Sequence, residues 1–191
     1  MNKIKNLQTD LILKCKQNDP KAQMELYDRY CNAMFYTAYN FVKKEDVAQD
    51  IMQEAFIKAF KNIESFNENG TFGSWLKRIV VNGALDWLKK RKIEMVRIED
   101  EEIEIEEEEN DDWKVEETVN LDLVHECIEL LPAKYKNVLK LFLLEGYDHK
   151  EISQILQITE VSSRSQLLRG KNKLKELIKT GSDGKRYQRN V

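Results

Sequence analysis

A chain of 191 residues can hold one domain or two small ones, and its 34% charged and 41% hydrophobic content is ordinary for a soluble protein. Seven glycines and two prolines supply too little turn chemistry for a β-meander or sandwich, and no short alternating apolar runs stand between turn signals, so the sequence reads as all-α. The formal net charge of −3 hides a division: residues 99–117 hold thirteen carboxylates against Lys114 alone, which leaves about +9 on the remainder, a distribution suited to a polyanion.

The N-terminus, with Lys3 and Lys5 ahead of an amphipathic stretch at 7–15, lacks an uninterrupted apolar core and reads as neither signal peptide nor membrane span, so a cytoplasmic protein without membrane insertion is expected. Thr9 and Asp10 predict the cap of a short helix through Cys15, and Asp19-Pro20 predicts a second start, with Asp as N-cap and Pro in the first turn. Leu26, Tyr27, Tyr30, Met34, Ala38 and Phe41 recur at helical spacing before Lys43-Lys44 close the segment. The next helix, from about Glu45, has an apolar stripe of Val47, Ala48, Ile51, Ala55, Ala59 and Phe60, while Asp46, Asp50, Gln53 and Ile57 gather on another face.

A loop at 67–70 breaks the pattern, after which Thr71 predicts the cap of a helix over about 72–92. Phe72, Leu76, Ile79, Val80 and Gly83 are its inward candidates, with Trp75, Trp87 and six basic residues on its flanks. An N-terminal helical bundle over 1–92 follows. Residues 93–119 alternate acid with isolated Ile or Val and bury too little to order themselves, which predicts a flexible acidic linker; a strand through Ile103 and Ile105 is the competing reading.

The helical code returns over 120–180 as a four-helix domain. Leu123, Val124, Cys127, Ile128 and Leu131 form one face, Pro132 opens the next helix, and Tyr135, Val138, Leu139 and Phe142 supply its stripe up to a left-handed cap at Gly146. Asp148 with Glu151 has capping-box spacing and starts a short helix bearing Ile152, Ile155 and Leu156; Gln157-Ile158-Thr159 makes a turn, and a basic helix runs over about 160–179. Its inward residues are Leu167, Leu174, Leu177 and Ile178. Residues 181–191 read as a flexible basic tail.

Short helix, three-residue turn and basic helix is helix-turn-helix geometry, in which the second helix enters the major groove. Ser162, Arg164, Ser165, Gln166, Arg169 and Lys171 are the candidates there, since Arg pairs bidentately with guanine and Gln with adenine, while Lys holds phosphate. The alternative is a solvated basic face on a bundle helix. Cys15, Cys31 and Cys127 are far apart within helical patterns, as packed reduced thiols would be, and His125 and His149 have no partner at ligand spacing. No catalytic constellation, metal site or cofactor is expected.

The string EGYDHKEISQILQITEVSSRSQLLRGKNKLKEL resembles the promoter-binding C-terminal domain of extracytoplasmic-function sigma factors, the smallest members of the sigma-70 family. EDVAQDIMQEAFIKAFKNIESF followed by TFGSWLKRIVVNGALDWLKKRK is similar to that family's N-terminal domain, in order and near the expected spacing. The resemblance implies a non-enzymatic factor that binds core RNA polymerase, on the largest subunit's clamp and on the flap, and directs it to promoter DNA. It assigns Asp46, Asp50, Gln53, Glu54 and Ile57 to the clamp, although solvation of that face is the reading without it. It assigns minus-ten opening to Phe66, Asn67, Asn69, Lys77, Arg78, Asn82 and Lys89, and minus-thirty-five recognition to the helix-turn-helix. Trp75 and Trp87 are either core residues or stacking platforms. The linker would thread into the polymerase near nascent RNA, or serve as a solubilising tether. A sequestering anti-sigma protein is a further implied partner that no residue demonstrates.

Three positions depart from the family pattern. Val161 stands where glycine is frequent, Ser163 where a β-branched apolar residue usually packs, and Gly170 where alanine is common; each is expected to weaken local packing or helicity by about 1 kcal/mol. The rival functions are an operator-binding regulator that dimerises or senses an effector through its N-terminal bundle, and a helical adaptor that binds only protein.

Overall fold

The computed structural model describes residues 2–67, 70–95 and 121–188, and all of its regular structure is helical. The chain divides into two units, Met1–Glu99 and Asp100–Val191. No helix among the described residues is long and apolar enough to cross a membrane.

The first unit comprises α1 (Asn2–Lys16), α2 (Pro20–Val42), α3 (Glu45–Lys61), a 3-10 turn at Ile63–Ser65, and α4 (Phe72–Met95). Asp19 caps α2 as its position predicts, accepting from the amides of Lys21 at 2.8 Å and Ala22 at 3.3 Å. Lys43 ends that helix by adopting the left-handed conformation itself, with φ 53° and its amide donating to Tyr39 O. Helices α2, α3 and α4 pack on one another around Leu26, Met34, Phe41, Ile51, Phe56, Leu76 and Val80. Tyr27 meets Phe56 with ring centroids 4.8 Å apart, and Tyr30 meets Phe72 at 5.5 Å.

Two boundaries differ from expectation. Helix α1 begins at Asn2 rather than at Thr9, because nothing in residues 3–8 breaks a helix and the stripe Leu11, Ile12 and Cys15 pins the segment to its neighbours. Helix α4 runs to Met95; of its expected stripe Phe72, Leu76 and Val80 are buried while Ile79 and Gly83 are half-buried, and Val81, Ala84 and Leu85 are buried as well, so its inward face is shifted and widened relative to the periodicity. Residues 96–120, which include the whole acid-rich run 99–117 and the alternative strand, lie outside the described residues.

The second unit comprises α5 (Leu121–Leu130), α6 (Ala133–Leu139), a π turn at Lys140–Leu144, α7 (His149–Leu156) and α8 (Glu160–Gln188). Pro132 precedes α6 as its N-cap. The helix widens in its last turn, where the Glu145 amide reaches back to Lys140 O at 3.1 Å, and Gly146 then reverses the chain at φ 74°. Widening turns Lys140 inward. Its side chain is only 2% exposed, and its ammonium lies 2.7 Å from Glu129 Oε1, while Glu129 Oε2 faces the Lys136 ammonium across 3.4 Å. A buried ammonium needs such a partner to offset its lost hydration. In the sequence Lys140 looks like one more surface lysine.

Leu167 and Leu174 seat α8 on α5, α6 and α7. Gly170 sits at a close approach of α8 to α6: a Cβ there would lie 3.0 Å from Leu139 Cδ1 and 3.3 Å from Tyr135 Cβ, so alanine would add helix propensity only where the Leu139 side chain gives way by a few tenths of an ångström. Helix α8 also continues past the expected end near Lys179, through Gly181 and Gly184 to Gln188, where a flexible tail was expected.

Cys15 and Cys127 are buried free thiols, whereas Cys31 is half-buried. Burial foremost, then Asp19 and Glu25, push the Cys15 thiol up to about 11. Iodoacetamide is therefore expected to label Cys31 well before Cys15 in the native chain, and equal rates measured by mass spectrometry would contradict this burial. Replacing Glu129 takes away the carboxylate 2.7 Å from the buried Lys140 ammonium. E129A should lower stability by about 2–4 kcal/mol, read as a lower urea midpoint with unchanged m-value.

Candidate nucleic-acid and polymerase interfaces

The helix-turn-helix is held by three local devices. The Glu151 amide donates to Asp148 Oδ1 at 2.7 Å while the Asp148 amide donates to Glu151 Oε2 at 3.0 Å, completing the capping box. Gln157 takes the left-handed conformation at φ 57° and ends α7. Thr159, read in the sequence only as a turn residue, caps α8: its Oγ1 accepts the Ser162 amide at 3.0 Å. The turn is Gln157-Ile158-Thr159, as expected.

On α8 the six predicted contacts do not form one face. Ser162, Ser165, Gln166 and Arg169 line a cleft of about 270 Å³ together with Lys134, Tyr135 and Val161. Ser162 is half-buried in the cap, and the Ser165 hydroxyl donates to Val161 O at 3.0 Å. Arg164 sits on the opposite flank, exposed and 3.5 Å from Glu160. Lys171 shares that flank, with its ammonium 6.0 Å from the Phe142 ring. Between the flanks lie Val161, 71% exposed, and Leu168, 37% exposed, neither of which sequence reasoning had put forward as a contact. Their signal was apolar residues interrupting the outward face of a basic helix.

Ser163 is fully buried, and its hydroxyl lies 2.9 Å from His149 Nδ1. The packing loss expected from a serine here is thus compensated by a hydrogen bond joining α7 to α8. The His149 ring also stacks on Phe142, with centroids 5.1 Å apart.

On α3, Asp46, Asp50, Gln53, Glu54 and Ile57 are all exposed and fall on one side of the helix at about 3.6 residues per turn. Ile57 is 53% exposed among the polar residues, an apolar centre within an acidic rim. Glu54 faces Lys58 at 3.8 Å, a surface pair of little energetic weight. The opposite side of α3, with Ala48, Ile51, Ala55 and Ala59, is buried.

The predicted minus-ten set divides further. Arg78, Asn82 and Lys89 are exposed on one side of α4, whereas Lys77 is half-buried on another side. Asn67 is exposed, and Asn69 lies outside the described residues. Phe66 is only 5% exposed and needs correction as a base contact. Its ring packs at 5.8 Å on Phe72 and at 5.4 Å on Trp75. Burying a phenylalanine contributes about 1.5–3 kcal/mol that base capture would forfeit, so Phe66 fixes the root of the loop instead. Trp75 belongs to this cluster while half-buried, and Trp87 lies under the Arg91 guanidinium at 5.5 Å. Thr71 caps α4 as expected, accepting the Ser74 amide at 3.1 Å.

Among the described residues no group of His, Cys, Asp and Glu could hold a metal ion. The family description Sigma-70 region 2 matches residues 26–93, and Sigma-70 region 4 matches 121–174. The chain is 30% identical to the ECF RNA polymerase sigma-E factor of Haemophilus influenzae over 181 residues, covering 88% of this chain and 93% of that protein. It is 28% identical to the ECF RNA polymerase sigma factor SigW of Bacillus subtilis over 177 residues, covering 88% and 95%. Two solved structures share the fold. The sigma factor RpoE in complex with the anti-sigma factor NepR, from Bartonella quintana, gives a TM-score of 0.57 at 20% identity, over 82% of this chain and 96% of that one. CnrH in complex with the cytosolic domain of CnrY gives 0.58 at 19%, over 91% and 97%. With both sigma regions present in order and relatives matched over nearly their whole length, this chain belongs to the extracytoplasmic-function sigma factors of the sigma-70 family, non-enzymatic factors that bring core RNA polymerase to promoters to begin transcription.

Proposed function

We propose that this sigma factor divides promoter engagement among three helices: α8 reads the minus-thirty-five element, α4 and the loop before it open the minus-ten element, and α3 docks on the clamp of the polymerase's largest subunit. The observation that carries this reading is the bare strip of α8, where Val161, Ser165 and Leu168 lie between Arg164 and Arg169 on the second helix of a capped helix-turn-helix. Arginines at the two edges suit guanine or phosphate, and apolar side chains between them suit the methyl groups of thymine. On α3, Ile57 within its acidic rim has the make-up of an interface centre, with Asp46, Asp50, Gln53 and Glu54 setting register against a basic partner.

Residues 1–92 then form the polymerase and minus-ten unit, 93–119 a tether, and 120–180 the upstream unit, which also engages the flap. Phe66 supports the loop rather than touching a base, leaving Asn67 and Asn69 with Arg78, Asn82 and Lys89 as strand contacts and Lys77 at their margin. Such a factor works in the cytoplasm, where polymerase and promoters are. An anti-sigma partner belongs to the same proposal: RpoE of Bartonella quintana is solved with one, and Ile57 offers a surface for which such a partner could compete.

The test is to mix the purified chain with bacterial core polymerase, follow co-elution, and sequence the promoters selected from a library. Duplex binding by the chain with no association with polymerase would defeat the reading. R169A should weaken minus-thirty-five recognition about tenfold while leaving co-elution intact, and R164A should act in the same direction. I57D should do the reverse, lowering polymerase affinity tenfold or more, at a cost of about 2 kcal/mol, without changing which duplex is preferred. V161G should relax the selected sequence at one thymine position; an unchanged consensus would remove Val161 from the reading surface.

A further inference from the structure

The contact between His149 and Ser163 joins the two helices of the DNA-binding motif at a point that also borders its reading surface. His149 is the first residue of α7, immediately after the Asp148 cap, and Ser163 lies in the first turns of α8 with none of its surface exposed. Their 2.9 Å hydrogen bond is supported by the His149 ring stacked on Phe142 of the π turn. The charged groups facing the imidazole are Asp148 from its own segment and Glu160, Arg164 and Lys171 from α8. Arg164 and Lys171 occupy the flank of α8 away from the cleft, so half-buried His149 completes a basic edge along the exposed strip.

We propose that His149 is a positioning residue for minus-thirty-five binding: through Ser163 it sets the angle at which α8 is presented, and on taking up a proton it adds a cation to the edge that faces the DNA backbone. The proposal rests on the reading of α8 as the groove-facing helix. In its neutral form the imidazole Nδ1 accepts from the serine hydroxyl, or donates to it in the other tautomer; the imidazolium can only donate. The bond survives in each case, so protonation changes the charge of the edge without releasing the helix.

Two opposite pH effects follow. Burial first, and then Arg164, hold His149 below its ordinary 6.5 in the free chain, so the unfolded state takes up a proton more readily than the folded one. Fold stability from this group is complete above 6.5 and is lost as the pH falls through the lowered value. Phosphates along the edge favour the imidazolium, so DNA affinity rises as the pH falls. A pair that only packed the two helices would show the first effect without the second.

The experiment assembles the full chain with core polymerase and measures affinity for the duplex recovered by promoter selection, from about pH 8 to about pH 6 at constant ionic strength. The wild type should bind about three- to tenfold more tightly at the acid end, whereas H149Q should lose most of that slope. S163A removes the hydroxyl at nearly constant volume and should weaken binding several-fold at about pH 8, with S163T, which keeps the hydroxyl, restoring it. Thermal melting of the chain alone should show the wild type losing stability toward acid by more than H149Q. Parallel pH slopes for wild type and H149Q, or wild-type affinity in S163A, would overturn the inference. R169A tells the two readings apart: if it leaves binding unchanged, the groove-facing role of α8 falls and takes this inference with it. If R169A weakens binding while H149Q keeps the full slope, only the inference falls.

Discussion

A small helical unit has room to bury only one side of each helix, and nearly everything in this sigma factor follows from that constraint. An α-helix repeats about every 3.6 residues, so a stripe that meets the core leaves the opposite side bare. On α3 the alanine-rich side packs against α2 and α4, and Ile57 with its acidic neighbours is left outside. On α8 Leu167 and Leu174 go inward, which leaves Val161, Ser165 and Leu168 outward between two arginines. The surfaces proposed to meet polymerase and DNA are thus the complements of the core stripes.

The same constraint makes the exceptions informative, because a side chain on the wrong side must be satisfied there. Lys140 is turned inward by the π turn and is held by Glu129. Ser163 is polar on the core side of α8 and is held by His149. Gly170 has no side chain at all, and Leu139 and Tyr135 of α6 stand within 3.3 Å of where a methyl would lie. These three departures from a plain apolar stripe lie in the second unit, around the helices that α8 packs on.

In the first unit the aromatic residues do comparable work. Phe66, Phe72 and Trp75 form one cluster at the root of the loop that precedes α4, with Tyr30 packed behind Phe72. The three interlocked rings give the start of α4 a rigid base, which suits the strand-holding role proposed for the loop. The exposed Arg78, Asn82 and Lys89 then follow along the side of α4 that the core leaves free.

The sequence by itself determined what is local. Helical periodicity, the Asp19 and Thr71 caps, the Asp148 and Glu151 box and the left-handed stop at Gly146 all depend on residues a few positions apart, and all appear where the sequence placed them. The acidic side of α3 was legible for the same reason, and the paired sigma motifs were legible as strings. Only the tertiary structure decided what distant residues do to one another. Phe66 looked like a loop residue until Phe72 and Trp75 closed over it, and Lys140 looked like surface until Glu129 reached it. Ser163 and Gly170 looked like packing losses until His149 and Leu139 were found beside them. In each case the deciding partner stands at a separation in sequence that no helical period reports, and burial, which sets the worth of a polar group, exists only once the helices have packed.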